Sequence, residues 1–237
     1  KTLFPYTTLF RSRRPLAAIA SMTIDANGNP IRLPTEIEEV SAEPSIRIVR
    51  GALTPEESRL LIDLGQQRFR PAVIFHDGQQ KFVLDPIRQS DAAGFPIIYE
   101  TPFVHAINRR LAALTGTLVD QGEPIQVLRY SGPQQYRPHL DAPRGLPNQR
   151  ILTALVWLND DYEGGETHFT KLGLRLRGRQ GDAVIFSNVT SDGLPDPLTE
   201  HAGLPVSAGT KFIATRWIRA DVPDDSGFGQ HEMSGQS

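Results

Sequence analysis

The chain has 237 residues, a formal net charge of -2 and a hydrophobic fraction of 39%, enough for one domain with extensions and a real core. Near-neutral charge argues against non-specific binding to nucleic acid, which needs a basic surface to neutralise phosphate, and no apolar run reaches membrane-spanning length. The sequence has no cysteine, so disulfides and thiolate metal sites are excluded and any metal must be held by nitrogen and oxygen.

Residues 1–12 include TLFPYTTLFRS, which reads as the translation of a short-read sequencing adapter, and they are set aside from fold reasoning. On that reading the native start is missing and a signal peptide stays open. Residues 13–44 form a polar N-terminal extension, with Asn27-Gly28-Asn29-Pro30 as a turn signal. Ser45 to Arg50 alternates like a half-buried strand. Thr54-Pro55-Glu56-Glu57 opens a helix, because Thr54 can cap it, Pro55 suits the first turn and Glu57 completes a capping box. Leu60, Leu61 and Leu64 then make its apolar face. His76 to Pro86 reads as an exposed loop. A second helix is predicted from Thr101-Pro102 to Thr115, stopped by Gly116.

From Ile125 the pattern changes. Short strand-like runs at 125–130, 151–158, 166–170, 174–177, 182–187 and 211–219 are punctuated by Gly, Pro, Asn and Asp; nineteen prolines and twenty glycines agree with so many turns. This predicts an antiparallel sandwich or barrel. The domain is expected to span 45–220, followed by a flexible tail over 221–237.

His139-Leu140-Asp141 puts two potential ligands two positions apart, which on a strand share a face. With His201 they make a set of two imidazoles and one carboxylate. Such a set can occupy one face of octahedral Fe(II) and leave three positions open; zinc accepts the same donors. An H-x-D alone is usually surface polarity, so the case rests on its neighbours. Lys211 opens an apolar strand; it is either a snorkelling surface residue or the partner of a buried carboxylate. Gly164-Gly165-Glu166-Thr167 is explained by turn chemistry. Tyr130, Thr153 and Trp217 read equally well as packing residues. His76, His105, His168 and His231 are read as non-ligands.

The runs EPIQVLRYSGPQQYRPHLDA, RILTALVWLNDDYEGGETHFT, QGDAVIFSN and HAGLPVSAGTKFIATRWIR, in that order, resemble the catalytic domain of the prolyl 4-hydroxylase branch of the 2-oxoglutarate/Fe(II) oxygenases. IRIVRGALTPEESRLLIDLG and RRLAALTG resemble the helical part of that domain. The resemblance implies an α+β fold: a double-stranded β-helix, or jelly roll, of antiparallel strands with N-terminal helices packed on one sheet. It implies His139, Asp141 and His201 as iron ligands and Lys211 as the residue binding the distal carboxylate of 2-oxoglutarate. Tyr130, Thr153 and Trp217 match cosubstrate-pocket positions, and Arg88, Ser90, Glu123, Tyr136 and Arg150 match a substrate groove. Fe(II), 2-oxoglutarate and O2 would take part, with ascorbate as a candidate reductant.

The implied reaction is hydroxylation of an unactivated C–H of a prolyl residue in a peptide or protein, releasing succinate and CO2. A free amino acid or other small molecule is the alternative substrate, and a non-catalytic metal-binding jelly roll the alternative class. No nucleic-acid or membrane partner is implied, the oligomeric state is left open, and a cytoplasmic, bacterial protein is expected. Trp157 stands where relatives often carry Tyr, which removes a phenolic hydrogen bond to the cosubstrate.

Overall fold

The computed structural model describes residues 36–76 and 81–222. The adapter-like start, most of the 13–44 extension and nearly all of the expected tail lie outside them. The described chain runs β1 (Ile37–Ser41), β2 (Ile46–Val49), α1 (Pro55–Gly65), β3 (Arg70–Pro71), β4 (Ile74–His76), β5 (Lys81–Val83), β6 (Asp91–Gly94) and α2 (Pro102–Thr115). It continues with β7 (Gln126–Ser131), β8 (Tyr136–His139), β9 (Arg150–Trp157), β10 (Glu163–Gly164), β11 (Thr167–Phe169) and β12 (Leu174–Leu176). β13 (Ala183–Ser187), β14 (His201–Gly203), β15 (Val206–Ala208) and β16 (Thr210–Arg219) complete it.

Both predicted helices form for the reasons read from sequence. Thr54 accepts from the Glu57 amide while the Glu57 carboxylate accepts from the Thr54 amide, which satisfies two otherwise orphaned donors at the start of α1. Thr101 caps α2 by accepting from the Val104 amide alone, and Gly116, at φ 71°, ends it in the left-handed conformation that glycine adopts without strain. The apolar face of α1 is narrower than expected. Leu61 is buried and Leu64 packs against the core, but Leu60 lies one residue, about 100° of helix, off that stripe and is 42% exposed.

The strands form an eight-stranded sheet in the order β1-β2-β13-β9-β16-β7-β6-β3 and a four-stranded sheet in the order β12-β11-β14-β8. Every pairing in both is antiparallel. This is the expected jelly roll with helices on one sheet. Alternation along the large sheet makes its two cores. Val127, Ala154, Val156, Ala183, Ile185 and Ala214 face α1 and α2, meeting Leu61, Val104, Ile107 and Leu111. Leu128, Leu155, Trp157, Val184 and Ile213 face the small sheet, meeting Phe169 and Leu176. Central strands are therefore apolar on both sides, which is why ILTALVWL reads as a continuous hydrophobic run rather than an alternating one.

Two readings of chain organisation change. The sheet begins at β1, upstream of the expected domain start at Ser45. Part of the predicted 76–86 loop is strand: β5 lies inside it and pairs antiparallel with β4, which ends at His76; three-residue strands are too short to display a period. The helices are also joined by a buried ion pair. Arg110 of α2 grips Glu57 of α1 through two hydrogen bonds, Nη1 to Oε2 at 2.6 Å and Nη2 to Oε1 at 2.8 Å.

The packing of the inner core depends on one small residue. A Cβ at Gly178 would lie 2.1 Å from Cε3 of the Trp157 indole. Gly178→Ala is therefore expected to destabilise the fold by about 1–3 kcal/mol through overpacking. The combined Gly178→Ala, Trp157→Phe protein should lose less than the sum of the single changes, because phenylalanine lacks the clashing ring. Urea denaturation of the four proteins measures this coupling.

Candidate active site

β8 and β14 are neighbours in the small sheet, and His139 and His201 are direct register partners across that ladder. Their rings lie 4.3 Å apart between centroids. Asp141 follows the end of β8, and one ligand atom from each of the three side chains lies within 4.8 Å of the others. Among the described residues no other group of His, Cys, Asp and Glu meets this condition.

Each imidazole is oriented by the main chain. His139 Nδ1 is 2.9 Å from the Arg137 carbonyl and His201 Nδ1 is 3.0 Å from the Thr199 carbonyl. A carbonyl can only accept, so Nδ1 carries the proton and Nε2 presents its lone pair to the centre. Tyr136 stacks on His139 at 3.5 Å, and Phe169 and Phe186 pack on His201 at 5.6 and 5.0 Å. The Nε2 atoms lie 3.6 Å (His139) and 3.7 Å (His201) from the Asp141 carboxylate, too far for hydrogen bonds but suited to a shared cation.

The electrostatics agree with that fit. Burial pushes His201 down to about 4, with the His139 ring adding to the effect, so its imidazole is neutral at neutral pH. Burial alone would raise Asp141; the facing His201 and His139 rings and the Thr153 hydroxyl outweigh it and hold the carboxyl well below the usual carboxylate range. Two imidazole nitrogens and one carboxylate oxygen, with no thiolate, form a donor set suited to Fe(II) with open positions.

Lys211 reaches into the same cavity from β16. It is only 2% exposed, and its Nζ donates to the Gly165 carbonyl at 2.7 Å and sits 5.5 Å from the Tyr130 ring centroid. No carboxylate among the described residues lies within salt-bridge distance of it. Burial pushes the ammonium down to about 8. A charge in this position calls for a bound anion to compensate it.

The sequence-derived candidates fall into three places. Tyr130, Thr153, Trp217, Arg88 and Tyr136 line the cavity together with the three clustered residues and Lys211. Ser90 lies outside it, in an adjoining open groove that shares Arg88 with the cavity. Glu123 and Arg150 also lie off the cavity lining. Arg150 grips Glu123 through Nε at 2.6 Å and Nη2 at 2.8 Å, and covers the Trp217 ring at 4.1 Å. Arg219 supplies a second contact to Glu123 at 2.8 Å. Thr153 faces the carboxylate side: its hydroxyl donates to Asp141 Oδ2 at 2.7 Å. The side chain of Trp157 is buried in the inner core, and its Nε1 has no hydrogen-bond partner among the described residues.

Sequence reasoning missed two residues. Thr167, read as turn chemistry, is buried with a hydroxyl that has no partner among the described residues, and it lines the cavity. The available signal was a polar residue two positions from Phe169, hence on the same inward face. Asn188 is buried and bonded to Thr153. His105 pairs with Glu100 at 2.9 Å, away from the cluster; His231 and the side chain of His76 lie outside the described residues.

A jelly roll enclosing two histidines and an aspartate beside a buried lysine defines a non-haem iron oxygenase that uses a carboxylate-bearing cosubstrate. Residues 125–219 match the family model described as the 2OG-Fe(II) oxygenase superfamily. Prolyl 4-hydroxylase 1 of Arabidopsis thaliana is 33% identical over 203 residues, covering 77% of this chain and 71% of that protein. The human prolyl 4-hydroxylase subunit alpha-1 is 32% identical over 82% of this chain but only 38% of its own length. A viral collagen prolyl hydroxylase from Paramecium bursaria Chlorella virus-1, solved with 2-oxoglutarate, superposes with a TM-score of 0.60 at 26% identity, covering 74% of this chain and 96% of that one. The chain belongs to the 2-oxoglutarate/Fe(II) oxygenase superfamily, in its prolyl 4-hydroxylase-like branch, and is a 2-oxoglutarate-dependent dioxygenase.

The lysine yields a pH test. Because its folded value of about 8 lies below the ordinary 10.5, the unfolded chain binds more protons between those limits and stability rises with pH there. Lys211→Met removes the titration. Without ligands, the variant should be the more stable protein below pH 8, and its advantage should shrink by about 3 kcal/mol up to pH 10.5. Paired denaturation curves at several pH values measure the difference.

Proposed function

We propose that this enzyme hydroxylates a prolyl residue within a peptide or protein, with His139, Asp141 and His201 holding Fe(II) and Lys211 receiving the distal carboxylate of 2-oxoglutarate. The observation that carries the catalytic assignment is the buried ammonium, with no carboxylate of the described residues at salt-bridge distance, opening onto the same cavity as the three ligands. An ammonium so placed prefers a diacid whose second carboxylate reaches it, while the first end approaches the metal. Tyr130 and Thr167 border that channel as polar side chains.

When bound, iron and 2-oxoglutarate together supply the oxidising equivalents for C–H hydroxylation, releasing succinate and CO2. The chain's part is geometric. The two Nδ1 hydrogen bonds to main-chain carbonyls keep both Nε2 atoms aimed at one point. The Thr153 hydroxyl holds one carboxylate oxygen of Asp141. The aromatic rings of Phe169, Phe186 and Tyr136 keep water from the histidine side.

The peptide assignment is supported by the open groove beside the cavity. Pro71, Leu84, Pro86 and Gln134 line it, and Arg88 borders both spaces. An extended chain lying there could present one ring to the metal while its neighbours stay outside. Arg88, which borders both spaces, stands 5.3 Å over the Tyr136 ring, while Arg150 is anchored on Glu123 and covers the Trp217 ring of the cavity wall. Relatives described as prolyl 4-hydroxylases favour proline as the residue presented.

Anaerobic addition of Fe(II) and 2-oxoglutarate should produce the weak visible charge-transfer band of a chelate, and His139→Ala or His201→Ala should abolish it. Lys211→Ala should raise the KM for 2-oxoglutarate by about 100-fold, from loss of a charge-assisted contact. With ascorbate as reductant, mass spectrometry of proline-containing peptides should show gain of one oxygen. Turnover of free amino acids with no modified peptide would reject the peptidyl substrate while leaving the oxygenase assignment standing.

A further inference from the structure

We propose that Asn188 is a positioning residue for the metal centre, acting on Asp141 through Thr153; this rests on the metal assignment above. Asn188 follows β13 and is only 1% exposed; it stands 47 residues after Asp141 and 13 before His201, so its place behind the ligands comes from the fold rather than from their spacing. Its amide nitrogen Nδ2 donates to Thr153 Oγ1 at 2.9 Å, and Thr153 Oγ1 donates to Asp141 Oδ2 at 2.7 Å. A hydroxyl has one proton. Thr153 Oγ1 also lies 3.2 Å from Asn188 Oδ1, but the shorter contact to an ionised carboxylate takes that proton. The amide then fills a lone pair of the hydroxyl, which fixes the direction of donation toward Asp141.

The main chain of the same residue leads to the other ligand. The Asn188 carbonyl accepts from the Asp196 amide at 3.0 Å. The Asp196 carbonyl accepts from the Thr199 hydroxyl at 2.8 Å, and the Thr199 carbonyl orients His201 through Nδ1 at 3.0 Å. The Asn188 amide N–H is itself held by the Ile151 carbonyl of β9 at 2.9 Å. One buried residue is thus connected to Asp141 by its side chain and to His201 by its backbone. Substituting the side chain leaves the backbone arm in place, so the two contributions separate.

The probe is Co(II), which binds such sites in air and whose visible bands report ligand geometry. In titrations of the purified protein, Asn188→Ala should bind Co(II) about 10-fold more weakly with altered bands, within the range for losing an outer partner of a ligand. Asn188→Asp should be at least as damaging, because a carboxylate cannot donate and would draw the Thr153 proton away from Asp141. Thr153→Val should weaken binding similarly, and Asn188→Ala added to Thr153→Val should cause no further loss, since both act along one path. Thermal melting identifies the temperature at which each variant is folded for titration. If folded Asn188→Ala binds Co(II) like the wild type, or if the two losses add, the relay is overturned. If the wild type binds no Co(II), the metal assignment itself fails and this inference goes with it.

Discussion

The pairing of β9 with β16 at the centre of the large sheet sets which side chains can meet the metal. Trp217 lies opposite Thr153, and Thr215 opposite Leu155. The residues of one parity on these strands face the helices and those of the other parity face the cavity. A slip of one residue would turn Lys211 and Trp217 toward α1 and α2 and bring Ala214 and Arg216 to the metal side. The hydrophobic content of both faces holds the register, since a slip would also exchange the two cores.

Within that frame the chain buries several charges, each handled differently. Glu57 and Arg110 neutralise each other between the helices. Arg216 spends its guanidinium on the carbonyls of Asn108, Val119 and Glu123, and burial pushes it down to about 10. Asp141 faces two imidazoles and a hydroxyl, while Lys211 meets the Gly165 carbonyl and the Tyr130 ring but no carboxylate of the described residues at salt-bridge distance. The first two are complete in the protein alone. The last two are complete only when a cation and an anion arrive, which distinguishes charges that serve the fold from charges that serve a reaction.

The small sheet serves as the second jaw. Its strands are short, and β14 and β8 are joined at His201 and His139. Ligands placed as cross-strand partners inherit the rigidity of a ladder, whereas Asp141, just beyond the strand, depends on side-chain hydrogen bonds for its orientation. That difference explains why the carboxylate, rather than either imidazole, has a buried hydroxyl and amide behind it.

Much was legible in the sequence for local reasons. Thr54, Pro55 and Glu57 define the start of α1, and Thr101, Pro102 and Gly116 bound α2, because caps act within a few residues. The spacing of His139 and Asp141, joined to His201, Lys211 and the ordered motifs, named the class of metal and cosubstrate. The tertiary structure alone decided the rest. It placed β3, β4, β5 and β10, whose two or three residues show no period. It turned Leu60 outward, put Thr153 on the Asp141 side, and gave Thr167 and Asn188 places at or behind the cavity. Those outcomes depend on partners far away in sequence, and a side chain's role in a desolvated site is set by the atom that faces it.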